Sequence, residues 1–316
     1  MHVSVWAWAL FGFVVLTMLA ADLGLFQSRR RGPREPTLRS AALWSAAWIG
    51  LALAFGLVVV ALYSPAAGLT YVTAYALEKA LSVDNIFVFV LIFSQLEIPP
   101  AQQRRVLYWG VLGALVMRGL MIAGGVLLLQ RFRWVTYPFG LLVILAAARM
   151  LWGREKERQL VAEACAVCGS WVARFIPITP VFQGGRFVVR RRGRFVATPL
   201  LIALIVVETT DVIFALDSIP AVLAITRQPF LVYTSNVFAM LGLRSLYFLL
   251  GGVIERFRYL RAGLATILVF VGGRLLLSDL VDVPIGVSLA VIAAALGAAV
   301  AASLATARSQ VLGPRS

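Results

Sequence analysis

Nine stretches of this 316-residue chain are apolar over lengths that match the thickness of a bilayer: residues 3–21, 41–63, 69–95, 106–129, 135–152, 198–226, 230–252, 259–277 and 284–304. A helix needs about 20 mostly apolar residues to cross the hydrocarbon core. Only helices and closed barrels satisfy their own backbone polar groups there. The pattern predicts an all-α polytopic membrane protein of about nine transmembrane helices. Composition excludes the two-domain soluble protein that the length alone would suit: 61% of residues are hydrophobic and 14% are charged, against about half and about a quarter in soluble domains. The first stretch has no basic residues ahead of it and is followed by arginines, so it reads as a retained helix and not as a signal peptide.

The charge is +15, and its placement explains it. Cytoplasmic loops collect Lys and Arg. Arg29, Arg30, Arg31, Arg34 and Arg39 follow the first stretch, and Arg104 and Arg105 follow the third. The segment after the fifth carries Arg154, Lys156, Arg158, Arg174, Arg186, Arg190, Arg191, Arg192 and Arg194. Arg256, Arg258 and Arg261 follow the seventh, and Arg308 and Arg315 lie in the tail. That is 21 basic residues on one side, against Arg131, Arg133 and Arg227 on the other. The bias predicts an amino terminus outside and a carboxyl terminus in the cytoplasm, in the plasma or inner membrane. The partner of this charge is the lipid bilayer, not nucleic acid.

Cys165 and Cys168 form one CxxC in the long cytoplasmic segment. A structural zinc site needs two further ligands, and the single histidine, His2, falls on the other side, so the pair reads as two reduced, inert thiols, with redox chemistry or transient metal capture as the alternative. In the same segment, Phe187-Val188-Val189 and Arg194-Phe195-Val196 flank a basic turn and predict a small hairpin.

An internal repeat organises the rest. Glu78 and Asp84 stand six apart in the third stretch, and Asp211 and Asp217 stand six apart in the sixth. Asn85-Ile86 follows Asp84 as Ser218-Ile219 follows Asp217. Downstream, Gln130-Arg131-Phe132-Arg133-Trp134 matches Glu255-Arg256-Phe257-Arg258-Tyr259, Arg149 matches Arg274, and Arg118 matches Arg244. Stretches three to five therefore repeat as six to eight, in opposite topology, a 3+3 inverted repeat of the kind secondary transporters use. The expected organisation is two helices and a basic loop (1–68), a first three-helix repeat (69–152), a basic cytoplasmic loop (153–197), the inverted second repeat (198–277), and a last helix with a cytoplasmic tail (278–316). The matched places of Asp84 and Asp217 predict that they approach each other near mid-membrane.

Five carboxylates thus lie inside the apolar stretches: Glu78, Asp84, Glu208, Asp211 and Asp217. A charge at mid-helix costs about 2.5 to 3.5 kcal/mol on insertion scales. Intramembrane acids usually mark a pathway. Lys79, Arg118 and Arg244 are the bases counted against them, leaving two negative charges that a divalent cation or two protons would balance. Unwinding near Ser82 or Asn85 would bring Glu78 and Asp84 together, and Pro220 would break the sixth stretch and free carbonyls near Asp217. Candidate ligands are all oxygen donors: the five acids with Asn85, and Ser82, Ser218, Thr209, Thr210 and Asn236 around them. Such a set favours manganese, magnesium or calcium over copper or zinc. A flexible site favours manganese over magnesium, which demands a stricter octahedron. No nucleophile, His pair or cofactor motif points to an enzyme, and no permanently bound cofactor is expected.

At these residues the chain resembles the TerC/Alx family of integral membrane proteins, named for tellurium resistance. The strings that carry the likeness are Asp22-Leu23-Gly24, Glu78 through Phe87, Tyr108-Trp109-Gly110, Arg118-Gly119, Glu208 through Ala221, Tyr233 through Asn236 and Gly242 through Phe248. Ser245 and Arg274 stand where that family usually has Ala and Lys. The resemblance implies metal-ion export, most often of manganese. The alternative it leaves open is a membrane scaffold or assembly protein linked to tellurite resistance, whose acids only fasten helices.

Overall fold

A computed structural model describes residues 3–22, 38–151, 154–191, 193–251 and 259–312. His2, Leu23, Gly24, Arg29, Arg30, Arg31, Arg34, Arg192, the segment Glu255 to Arg258 of the repeat alignment, and Arg315 lie outside the described residues.

The chain is helical almost throughout. Its elements are α1 (Val5–Asp22), α2 (Leu38–Leu62), α3 (Pro65–Gln95), α4 (Pro100–Arg131), α5 (Thr136–Met150), α6 (Arg154–Phe175), strands β1 (Val188–Arg191) and β2 (Arg194–Ala197), then α7 (Pro199–Ile225), α8 (Pro229–Leu241), α9 (Leu243–Leu250), α10 (Leu260–Leu276) and α11 (Ile285–Leu312). Proline opens α3, α4, α7 and α8 within their first two positions, where its missing N–H is no loss. Ser64 caps α3 by accepting the Ala67 N–H at 3.1 Å.

Four helices are long and apolar enough to cross a membrane, Leu38–Leu62, Pro100–Arg131, Pro199–Ile225 and Ile285–Thr306, and a fifth span results if α5 and α6, bent by 107°, count as one. The other long segments miss this standard for physical reasons. α3 carries Glu78, Lys79 and Asp84 within 31 residues. α5, α8 and α10 are 15, 13 and 17 residues long. Large apolar side chains point outward along the helices, among them Leu57, Leu120, Leu145 and Val269. That outward face belongs in hydrocarbon. The protein is an all-helical polytopic membrane protein.

Three expectations about local structure are corrected. α3 is unbroken from Pro65 to Gln95, so no unwinding at Ser82 or Asn85 brings Glu78 to Asp84. α7 runs through Pro220 to Ile225; the proline removes one donor, and the flanking turns hold the helix across it. The seventh stretch, by contrast, is interrupted, with α8 ending and α9 beginning at Gly242. Finally, residues 153–197 are not a loop. They hold the 22-residue α6, and the hairpin expected there forms, pairing Val189 with Val196 and Arg190 with Phe195, with Gly193 in the left-handed turn at φ 81°.

α5 and α10 pack closely because glycine meets glycine. A Cβ on Gly140 would lie 3.1 Å from the Gly272 carbonyl, and one on Gly272 would lie 3.0 Å from the Gly140 carbonyl. Close backbone approach of this kind is how helices associate where no hydrophobic force drives them together. The interior divides into apolar clusters. On α3, Leu77 and Leu81 belong to one and Ile86 to Phe93 belong to another; on α7 the order is reversed, Leu200 to Val207 in the second cluster and Ala215 to Ile225 in the first. α3 and α7 thus run side by side in opposite directions, and the acids sit where the clusters meet.

Candidate functional site

The deepest part of the site is built on Arg118 of α4, 2% exposed. Its Nη1 donates to Glu78 Oε2 of α3 at 3.0 Å, and Nε and Nη2 donate to the two carboxylate oxygens of Asp211 on α7, each at 3.2 Å. Nη1 also donates to the Ser218 hydroxyl at 3.2 Å. The guanidinium fork suits a bidentate carboxylate. One buried donor therefore ties together α3, α4 and α7. Glu78 Oε1 and Asn236 Nδ2 are both buried without a hydrogen-bond partner, although the Asn236 side chain lies against Glu78.

Asp84, six residues and about 1.7 turns beyond Glu78, faces elsewhere. It lines a cavity of about 330 Å³ together with Asn85, Arg118, Arg149, Glu157, Thr210, Asp217, Ser218 and Arg261. Asp84 and Asp217 stand on walls of this one chamber, Asp84 from α3 and Asp217 from α7. Each has an arginine. Arg149 Nη2, at the end of α5, donates to Asp217 Oδ2 at 2.5 Å. Arg261, in the first turn of α10, approaches Asp84 Oδ1 at 3.5 Å and is hydrogen-bonded to Glu157 of α6. Its guanidinium also lies 4.2 Å from the centre of the Phe87 ring.

Arg149, Arg261 and Glu157 were not among the site residues expected from sequence. Arg261 was read as part of a cytoplasmic connection, and its first-turn position on α10 swings it back into the chamber. These residues also correct the charge count. With Arg149 and Arg261 added to the bases and Glu157 to the acids, six acids face five bases, and the surplus of two negative charges falls to one. Among the described residues, no three His, Cys, Asp or Glu side chains converge closely enough to hold a metal ion.

The other candidates scatter around this centre. Glu208 is half-buried one turn before Asp211 and rests on Gly113 of α4, where a Cβ would collide with its carboxylate. Lys79 Nζ donates to the Ala239 carbonyl at 3.2 Å, at the end of α8 beside the Gly242 break, and so meets carbonyls that the interrupted helix leaves free. Arg244 is half-buried in the first turn of α9 and engaged with its surroundings. The Ser82 hydroxyl donates to the Glu78 carbonyl within α3, and Thr209, exposed on α7, donates to Ile205.

α6 walls the chamber with Lys156, Glu157, Leu160, Val161 and Ala164. Cys165 on this helix is buried and Cys168 half-buried, both as free thiols. Burial, with Cys168 beside it, pushes the Cys165 thiol up to about 11.

A family model described as "Integral membrane protein TerC family" matches residues 63–311. A membrane protein of Myxococcus xanthus, STKORF319, is 48% identical over 95% of this chain and 92% of its own. A protein of Escherichia coli K12, provisionally named a membrane-bound redox modulator, Alx, is 45% identical over 90% of each chain. A membrane protein of Rickettsia bellii is 34% identical over 90% of this chain and 92% of its own. No solved structure matches the chain. With a family model covering most of its length and relatives of this identity, the chain belongs to the TerC/Alx family of integral membrane proteins.

Proposed function

We propose that this protein exports a divalent metal ion, Mn2+ foremost, from the cytoplasm through the chamber between α3 and α7, in exchange for protons. The observation that carries the reading is that two intramembrane aspartates on different helices, Asp84 and Asp217, line one cavity with the oxygen donors Asn85, Ser218 and Thr210. All are hard donors, which suits manganese. Asp84, Asn85 and Asp217 would handle the cargo, with Ser218 beside them. Glu78 and Asp211, with Arg118 between them, would fasten the helices, with Lys79, Asn236 and Arg244 supporting and Glu208 adjoining. The scaffold reading accounts for that fastened triad alone and leaves the chamber without a use.

The transport reading includes nine spans, with the amino terminus outside, the carboxyl terminus inside, and an inverted repeat in the plasma or inner membrane. The packing supports the repeat. If α3, α4 and α5 correspond to α7, α8–α9 and α10, then the α4–α7 contact is the counterpart of the α3–α8 contact, and both pairs pack. α5 and α10 pack on each other, as elements about a common axis do. In this reading the basic bias puts α6 and the hairpin on the cytoplasmic side, and the ion enters the chamber from there.

The relatives named for redox modulation draw attention to the CxxC. Thiolate is the reactive form of cysteine, and the raised thiol of Cys165 speaks against exchange chemistry there.

The test is metal content in cells. A deletion strain should accumulate manganese and become manganese-sensitive. The wild-type gene should rescue it and Asp217→Asn should not. Efflux from vesicles should respond to an imposed pH gradient at fixed voltage. A deletion that raised zinc alone, or no metal, would refute the assignment.

A further inference from the structure

The geometry points to Arg261 as a built-in competitor for the cargo: a movable positive charge, shared between Asp84 and Glu157, that a metal ion must displace from Asp84 to bind. The inference rests on the transport reading above and assigns a residue that the repeat itself does not supply.

Three observations carry it. First, Arg261 has two carboxylates on two different helices, Asp84 of α3 and Glu157 of α6, and it is hydrogen-bonded to Glu157 while standing 3.5 Å from Asp84. Loss of the Asp84 contact therefore leaves the guanidinium with a partner. Second, the Phe87 ring lies 4.2 Å beneath the guanidinium. A cation over an aromatic face is stabilised without an anion, so the shift costs little. Third, the arrangement departs from the internal symmetry. Asp217 is held by Arg149, and the repeat-related pair would be Asp84 with Arg274. Arg274 instead donates to Ser288 of α11 at 2.8 Å. The alignment that matches Arg149 with Arg274 sets the uncharged Thr136 opposite Arg261. The charge on Asp84 is thus supplied from outside the repeat pattern, by a residue tied to the cytoplasmic wall.

Two cations that compete for one carboxylate weaken each other's binding by the same factor. Glu157 draws Arg261 off Asp84 and so favours the metal. The two residues then act in opposite directions, which misfolding does not mimic. In inside-out vesicles with Mn2+ as the only transported metal, Arg261→Gln should lower the KM for Mn2+ by roughly fivefold or more and slow turnover, since the ion leaves reluctantly. Arg261→Lys should return KM toward the wild-type value. Glu157→Gln should raise KM, because Arg261 is left with Asp84 alone. Asp84→Asn, measured beside them, should abolish saturable transport. If Asp84→Asn keeps the wild-type KM, the cargo site itself is misplaced and the competitor falls with it. If Asp84→Asn abolishes transport while Arg261→Gln and Glu157→Gln leave KM unchanged, or move it in the same direction, the competitor role is overturned and the export reading stands. Should Arg261→Gln not accumulate in the membrane, the Glu157→Gln shift decides alone: a raised KM supports the role, and an unchanged or lowered one overturns it.

Discussion

The arginine–carboxylate contacts at Arg118 and those of the chamber use the same chemistry at different depths. Around Arg118 every charged side chain is at most 3% exposed. In the chamber, Arg149 is 40% and Asp217 20% exposed, Arg261 17% and Asp84 12%. A charge pair sealed from water cannot let go, because either partner alone is a buried charge. A pair that water reaches exchanges partners at little cost. Glu78 and Asp84 are six residues apart on one unbroken helix, and their surroundings suit them to different work. Depth, more than residue type, separates a carboxylate locked between helices from one that water can reach.

The strongest blow to this contrast is Arg118→Leu. Two buried carboxylates lose the guanidinium they share, and removing one partner from such a group costs about 3–5 kcal/mol. The protein should vanish from the membrane or unfold at markedly lower temperature in detergent, as read by abundance and by thermal unfolding. Arg149→Gln is the matched milder change. Its pair is partly wet, so stability should fall by about 1 kcal/mol or less, with the protein present in normal amount and its transport altered. Equal losses of abundance for the two variants would erase the distinction. The smallest effect sharpens the picture of the chamber's wall. With burial holding the Cys165 thiol up to about 11, its thiolate fraction at pH 8 is about one in a thousand. The thiol stays protonated at neutral pH, and its alkylation rate should rise about tenfold per pH unit, levelling off only near that value. Cys165→Ser with Cys168→Ser should leave transport intact. Fast labelling of Cys165 at pH 7 would show that α6 does not seal the chamber.

The sequence made the membrane class, the acids and the central Arg118 legible, because a charge inside an apolar stretch stands out without any knowledge of the fold. Arg261 and Glu157 were hidden for the opposite reason: charges in a basic, polar segment look like solvated surface until α6 and α10 are brought beside α3. α6 itself carries a signal in the sequence. Leu160, Val161, Ala164, Cys165, Cys168 and Val172 recur at helical spacing along one face, the mark of an amphipathic helix. The break was assigned to Pro220 because proline lacks a donor. α7 continues through it, and the interruption lies in the next stretch, at Gly242, a residue of low helix propensity.

Arg118 also sets an order of assembly. Its partners lie 40 residues before it, at Glu78, and 93 residues after it, at Asp211. A chain enters the bilayer from its amino terminus as it is synthesised. α3 reaches the translocon carrying two acids, Glu78 and Asp84, against the single base Lys79, and α4 follows with Arg118, which neutralises the excess. The two can leave as a helical hairpin whose opposed charges cancel, and α7 arrives later to find a waiting donor with two free N–H groups. The guanidinium is thus a docking point in biogenesis, joining a segment already in lipid to one not yet made.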